Sequence, residues 1–229
     1  MRFAIIAAGD GSRLAAEGLG VPKPLVRLEG MPMIERLTRM FVSQGADRVA
    51  VIVNPRQPET VAFMRDLACV LPIDLVVEDT PTPMHSLHAL APYLQGVPFC
   101  ATTVDTVFRD DSLAGLMKAF KGSGSDGMMG VTGLVDDEKP LYVRTDRGMN
   151  ISAFLDEKAD CRFVSAGVYA LAPAALDVLA RAVGEGEKRM RHFQRRLLDN
   201  GMRLKAFDMG QVIDVDHVAD IEAARRMLS

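Results

Sequence analysis

Phe3-Ala4-Ile5-Ile6-Ala7-Ala8-Gly9-Asp10-Gly11-Ser12-Arg13-Leu14 is the stretch that decides the fold. Residues 3–8 are an unbroken apolar run without polar alternation, as expected of a central strand covered on both faces. Gly9 and Gly11 then interrupt it. An open α/β sheet places its ligands there, beyond the carboxyl ends of its strands. Glycines at that point let backbone N–H groups approach phosphate oxygens, and Arg13 adds a bidentate cation. An ordinary βα turn has the same outline. Two familiar phosphate motifs do not fit. The Walker spacing GxxxxGK[ST] is absent, and Leu14 stands where a dinucleotide fingerprint needs its third glycine. That fingerprint also wants an acid at the end of the second strand, where Asn54 stands.

Outward from this stretch, strand and helix patterns alternate. Met33, Ile34, Leu37, Met40 and Phe41 recur at helical spacing, which predicts a helix over 32–44 closed by Gly45. Apolar runs predict strands at 49–53, 73–77 and 98–104, with helices at 59–70, 86–93 and 111–120 between and after them. Such alternation implies parallel strands joined by right-handed crossovers. After Gly127 the pattern becomes strand-rich, at 128–132, 141–144, 151–155 and 163–171. Helices return at 173–183 and 188–200, followed by a strand at 203–209 and a closing helix at 218–228. The expected fold is one α/β domain over residues 1–229, Rossmann-like, with a doubly wound, mixed and mostly parallel sheet. Residues 1–125 are expected to form a nucleotide-binding half and residues 126–229 a substrate-binding half.

Composition fits this picture. The chain has 229 residues, 48% hydrophobic and 25% charged, enough apolar material to cover both faces of a sheet. A net charge of −3 supplies no global positive field, so neither nucleic acid nor an anionic membrane is expected as a partner. Cys69, Cys100 and Cys161 are odd in number and far apart, which suits reduced thiols in a cytoplasmic protein better than a disulfide framework or a zinc site. No secretory leader and no membrane-spanning run is expected. A homo-oligomer stays open.

The glycine turn is the first of several linked motifs. Gly9-x-Gly11-Ser12-Arg13-Leu14, Pro22-Lys23-Pro24-Leu25, Gly30-x-Pro32-Met33-Ile34 and Val51-Ile52-Val53-Asn54 occur in that order. Together they resemble the opening of the sugar-phosphate nucleotidyltransferases, which share a nucleotide-diphospho-sugar transferase type of fold. Four motifs in series are far more specific than one. The resemblance implies that Ala8, Gly9, Gly11, Ser12 and Arg13 hold the phosphates of an NTP. It also implies that Lys23 contacts phosphate during displacement.

Transfer between two polyanions needs charge neutralisation more than covalent chemistry. Mg²⁺ prefers one or two carboxylates completed by phosphate oxygens and water. Asp105 follows the apolar run 99–104, and Asp214 and Asp216 precede the last predicted helix. Each could equally be a turn or helix-capping carboxylate. In the family, one metal-binding Asp follows the fourth strand and another lies in a D-V-D-T-P-E-D-L-like segment. The resemblance therefore implies Asp105 and Asp216 as Mg²⁺ ligands, with Asp214 in reserve. His217, Val218 and Ala219 depart from the family's Thr, Pro and Glu.

On the acceptor side, Phe154-Leu155-Asp156-Glu157-Lys158 and Ser165-Ala166-Gly167-Val168-Tyr169 resemble the family's F-x-E-K-P and S-x-G-[VI]-Y pair. This implies that Lys158 binds the acceptor phosphate and that Gly167 lines the sugar pocket. Otherwise they are a solvated lysine and a strand bulge. Ser86 sits where the family contacts base or ribose, and His85 reads as a helix-start residue. The one basic cluster, residues 188–196, reads as a solvated helix face.

The resemblance thus implies a nucleotidyltransferase that uses Mg²⁺, an NTP and a phosphorylated small molecule, most simply a sugar 1-phosphate. Lys23, Arg13 and Asp105 would carry the chemistry. The alternatives are a cytidylyltransferase for phosphocholine or another alcohol phosphate, a cofactor guanylyltransferase of related fold, and an inactive sensor of nucleotide sugars. A quaternary ammonium favours an aromatic cage, and the chain has no Trp and three Tyr.

Overall fold

The computed structural model describes residues 1–134 and 139–229. The chain opens with β1 (Arg2–Ala7), α1 (Ser12–Ala16), the hairpin strands β2 (Arg27–Leu28) and β3 (Met31–Pro32), and α2 (Met33–Ser43). Next come β4 (Val49–Val53), α3 (Pro58–Ala68), β5 (Ile73–Val77), α4 (Pro83–Leu90), β6 (Phe99–Thr103), β7 (Thr106–Val107) and α5 (Asp110–Ser123). The second half contains β8 (Gly127–Thr132), β9 (Tyr142–Thr145), β10 (Ile151–Leu155), β11 (Phe163–Leu171), α6 (Ala175–Gly184) and α7 (Met190–Asp199). It closes with β12 (Leu204–Asp208), β13 (Ile213–Asp214) and α8 (Val218–Leu228).

Among the described residues, nine strands form one sheet with the path β10-β9-β11-β6-β1-β4-β5, from which β8 and β12 branch at β11. β1, β4, β5 and β6 are mutually parallel. β11 opposes β6, β8 and β9, β12 follows β8, and β10 opposes β9. All but β10 and β11 therefore point the same way.

Alternate residues of β1 feed opposite faces, as the strand period of two requires. Phe3, Ile5 and Ala7 join a core closed by α2, α3, α5 and α8. Ala4, Ile6 and Ala8 join a second core closed by α4, α6 and α7. Burial on both sides is why the run carries no polar alternation.

Most elements lie where the sequence patterns predict them. α4 starts three residues earlier than expected, because Pro83 takes the first-turn position where its missing N–H costs nothing. The short pieces α1, β2, β3, β7 and β13 were not anticipated. No helix among the described residues is long and apolar enough to cross a membrane.

Candidate active site

Because β1, β4, β5 and β6 are parallel, their carboxyl ends bring four loops to one edge. The loop after β1 carries Ala8 to Gly11, and the loop after β4 carries Asn54, Arg56 and Gln57. The loop after β5 runs through Asp79, Thr80 and Thr82, and the one after β6 carries Asp105. Asn54 is buried and holds the glycine turn in place. Its Nδ2 donates to the Ala8 carbonyl at 3.0 Å, and its Oδ1 accepts from the Arg56 N–H at 2.9 Å. Gln57 Nε2 donates to the Gly9 carbonyl at 3.0 Å.

Gly11 has φ +62° and lies directly against Lys23, where an added Cβ would sit 3.0 Å from the lysine Cβ. Both facts demand glycine. Gly11→Ala is expected to cost about 1–2 kcal/mol through the left-handed backbone alone. It should also lower turnover by displacing Lys23. Thermal melting and steady-state kinetics check this, and an unchanged melting temperature would contradict it.

Two adjoining clefts flank the turn. One, about 370 Å³, is lined by Ile6, Ala8, Gly9, Asp10, Arg56, Asp79 and the 80–83 loop, with Ser86. The other, about 320 Å³, is lined by Gly11, Ser12, Arg13, Leu14, Lys23 and Asp216. The second cleft holds the charge cluster. Lys23 Nζ stands 2.6 Å from Asp105 Oδ2 and 2.7 Å from Asp216 Oδ1, and the Arg13 guanidinium grips the other Asp216 oxygen. The Lys23 side chain is only 11% exposed. Burial disfavours its charge, yet Asp105 and then Asp216 outweigh that and hold the ammonium above its usual pKa. Burial likewise opposes the Asp216 charge, but Lys23 and Arg13 keep the carboxyl below its ordinary range.

The chain brings Asp216 beside Asp105 by a local device. β13 pairs antiparallel with β7, Ile213 opposite Val107 and Asp214 opposite Thr106, and the Val215 N–H donates to the Asp105 carbonyl at 3.0 Å. Behind Asp216, the Asp220 carboxylate accepts from the N–H groups of Asp216 and His217 at 3.0 and 2.7 Å. Glu17, at the end of α1, accepts from the Val218 N–H at 2.8 Å and pairs with His217 Nδ1. Here the departures from the family's segment find their partners.

This geometry suits a divalent ion. Two carboxylates already converge on one cation, the lysine ammonium, in a cleft bordered by a glycine turn. Among the described residues, no group of three or more His, Cys, Asp or Glu side chains is arranged to hold a metal. Two carboxylates in one cleft fit a Mg²⁺-like ion only if phosphate oxygens and water complete its shell.

The other expected residues are more dispersed. Asp214 borders a separate small depression with Ser165 and Thr132, away from Lys23. Gly167 has φ +72° and sits where the β11–β8 register shifts, so it is a bulge. A Cβ there would meet Thr106 Oγ1 at 3.1 Å, beside Asp105. Ser86 is buried, and its hydroxyl is engaged by Thr80 at 2.5 Å. His85 pairs with the Thr82 hydroxyl at the start of α4. Lys158 is exposed on the β10–β11 turn and lines neither cleft.

The basic cluster is not simply a solvated face. Arg191 and Arg195 of α7 clamp Asp156, two residues before Lys158, at 2.5 and 2.8 Å. Arg56, Asp10 and Asp79, which also line the first cleft, are specified by no motif in the sequence. Their only signal was a position just past the ends of adjacent parallel strands.

The sheet with its loop cluster at one edge has well-matched counterparts among solved structures. The inositol-1-phosphate CTP transferase from T. maritima superposes with a TM-score of 0.79 at 20% identity, covering 100% of this chain and 97% of that one. A putative glucose-1-phosphate thymidylyltransferase from Bacillus anthracis gives 0.84 at 17% identity, covering 99% and 94%. These likenesses define the fold as the nucleotide-diphospho-sugar transferase type. Residues 3–200 match the MobA-like NTP transferase domain, and the chain belongs to that family. Among curated relatives, a probable mannose-1-phosphate guanylyltransferase from Oryza sativa subsp. japonica is 27% identical over 93% of this chain and 62% of its own length. A 2-aminoethylphosphonate cytidylyltransferase from Lancefieldella rimae is 30% identical over 48% of this chain and 44% of its own. The chain thus spans less than two thirds of these relatives.

Proposed function

We propose that this protein transfers a nucleoside monophosphate from an NTP to the phosphate of a small molecule, preferably a sugar 1-phosphate, and releases pyrophosphate. The observation that carries the reading is the convergence of Arg13, Lys23, Asp105 and Asp216 beside the glycine turn. The relatives support it, since their names pair nucleotidyl transfer with mannose 1-phosphate and with an aminophosphonate. A second reading, a cytidylyltransferase for an alcohol phosphate or phosphonate, is favoured by the cytidylyl relative and the CTP transferase neighbour. An inactive sensor would have no need to keep Lys23, Asp105 and Asp216 together.

In this reading the base lies in the cleft lined by Ala8, Gly9 and the 80–83 loop with Ser86. Gly11, Ser12 and Arg13 receive the NTP phosphates. An acceptor phosphate oxygen attacks the α-phosphorus in line and pyrophosphate departs, so no protein nucleophile is needed. Lys23 stabilises the charge that grows in the transition state. Asp105 and Asp216 would hold Mg²⁺, which supplies charge neutralisation at the phosphates. Residues 1–125 serve the nucleotide and residues 126–229 the acceptor, with Gly167 beside the acceptor pocket. Three free cysteines suit a reducing, cytoplasmic setting.

A pyrophosphate-release assay crossing four NTPs with sugar 1-phosphates, alcohol phosphates and phosphonates tests the proposal. Silence across the whole panel would overturn it, and preference for CTP with an alcohol phosphate would favour the second reading. Lys158→Ala is expected to weaken the acceptor by about 1–2 kcal/mol, the scale of a lost charge-assisted hydrogen bond, with NTP affinity by calorimetry unchanged. Arg13→Ala should give the reverse. Equal weakening of both ligands by Lys158→Ala would remove Lys158 from the acceptor site.

A further inference from the structure

The first N–H groups of a helix have no partner within it, so each must find an acceptor elsewhere. At the start of α8 the Asp216 and His217 N–H groups go to Asp220, a residue of the same helix. The Val218 N–H goes to Glu17 Oε2 at 2.8 Å, from a residue 201 positions earlier, while Glu17 Oε1 takes His217 Nδ1. One carboxylate therefore holds the two residues that follow Asp216. Glu17 is itself fixed, because its N–H donates to the Arg13 carbonyl at 3.1 Å in the last turn of α1.

α1 thus touches the Asp216 segment twice. Arg13 grips the carboxylate from the cleft side, and Glu17 grips the backbone beyond it. These contacts have different fates when nucleotide binds. On the proposed function, Arg13 and Lys23 turn from Asp216 to phosphate. The Glu17 contact does not line the cleft and need not change. Asp220 shapes the start of α8 but cannot locate it against the glycine turn, being part of the same helix. The pairing of β13 with β7 fixes only the residues before Asp216.

We infer that Glu17 is a positioning residue for Asp216. It ties the start of α8 to the glycine-turn helix and keeps the Asp216 carboxylate in place to hold the metal ion after Arg13 and Lys23 have released it. The inference rests on the reading of Asp216 as a metal ligand.

The test measures Mn²⁺ affinity by electron paramagnetic resonance in the presence of a non-hydrolysable NTP analogue, alongside Mg²⁺ half-saturation in the steady state. Glu17→Ala should weaken both by about 3- to 10-fold, the scale of a lost capping contact, and leave the acceptor KM unchanged. Glu17→Gln keeps an acceptor oxygen and should restore most of the loss. Proline is tolerated at the first helical position but has no N–H, so on a Val218→Pro background the effect of Glu17→Ala should shrink. A full effect on that background, or a lowered melting temperature with unchanged metal affinity, would overturn the inference. Asp216→Ala is the separate control. Unchanged Mn²⁺ affinity in that variant would overturn the reading of Asp216 itself. Loss there with no effect from Glu17→Ala would overturn only the positioning role.

Discussion

Asp105→Ala will lower pyrophosphate release by about three orders of magnitude or more while the chain stays folded. The size follows from removing one of the two carboxylates that would hold the cation neutralising the polyphosphate. The fold survives because the structural contact at this position is made by the backbone. The Asp105 carbonyl goes on accepting the Val215 N–H, and β6 and β7 flank the turn on either side. The side chain is 26% exposed and fills no core position. Rates with Mg²⁺ and with excess EDTA, together with circular dichroism melting, check the prediction. Undiminished activity in EDTA would remove the metal from the reaction altogether.

Lys23→Ala should lower kcat by about 10²–10³-fold and raise the NTP KM much less. An ammonium that contacts phosphate in the proposed reaction contributes most where negative charge accumulates. A second expectation runs in the opposite direction. In the free protein Lys23 neutralises Asp105 and Asp216 at 2.6 and 2.7 Å. Without it, two carboxylates face one another with no cation between them, so Mn²⁺ should bind the nucleotide-free variant more tightly than the wild type. A pure KM effect would make Lys23 a ground-state phosphate anchor, and weaker Mn²⁺ binding would mean that Lys23 supports the carboxylates rather than competing for them.

The legible parts of the site were those carried by local pattern. The run 3–8 announces a doubly covered strand because both of its faces meet helices, and the motifs around Gly11 and Lys23 lie close together in the chain. What stayed hidden depends on contacts made across long separations. The resemblance of the segment around Asp216 implies that it meets Asp105, but no local pattern there states that β13 will pair with β7 to bring it across. Each of those strands is two residues long and carries no periodicity. Glu17 reads as one more exposed acid until Val218, 201 residues later, supplies its donor. The β2–β3 hairpin turns at Glu29 and Gly30, both at positive φ, and Gly30 is the residue in the sequence suited to such a turn. The arginines of α7 gave the opposite lesson. A basic run on a helix looks solvated in sequence, yet Asp156 recruits two of them to hold a turn.

The pairing of β13 with β7 also sets a timetable for synthesis. Lys23 and Asp105 leave the ribosome well before Asp216, with about ten seconds of elongation separating the two aspartates. Through that interval the lysine ammonium has one carboxylate partner instead of two. A nascent chain arrested between them should take up no metal–nucleotide complex. Competence would arrive late and in a single step, when the last helix swings its first turn onto Glu17.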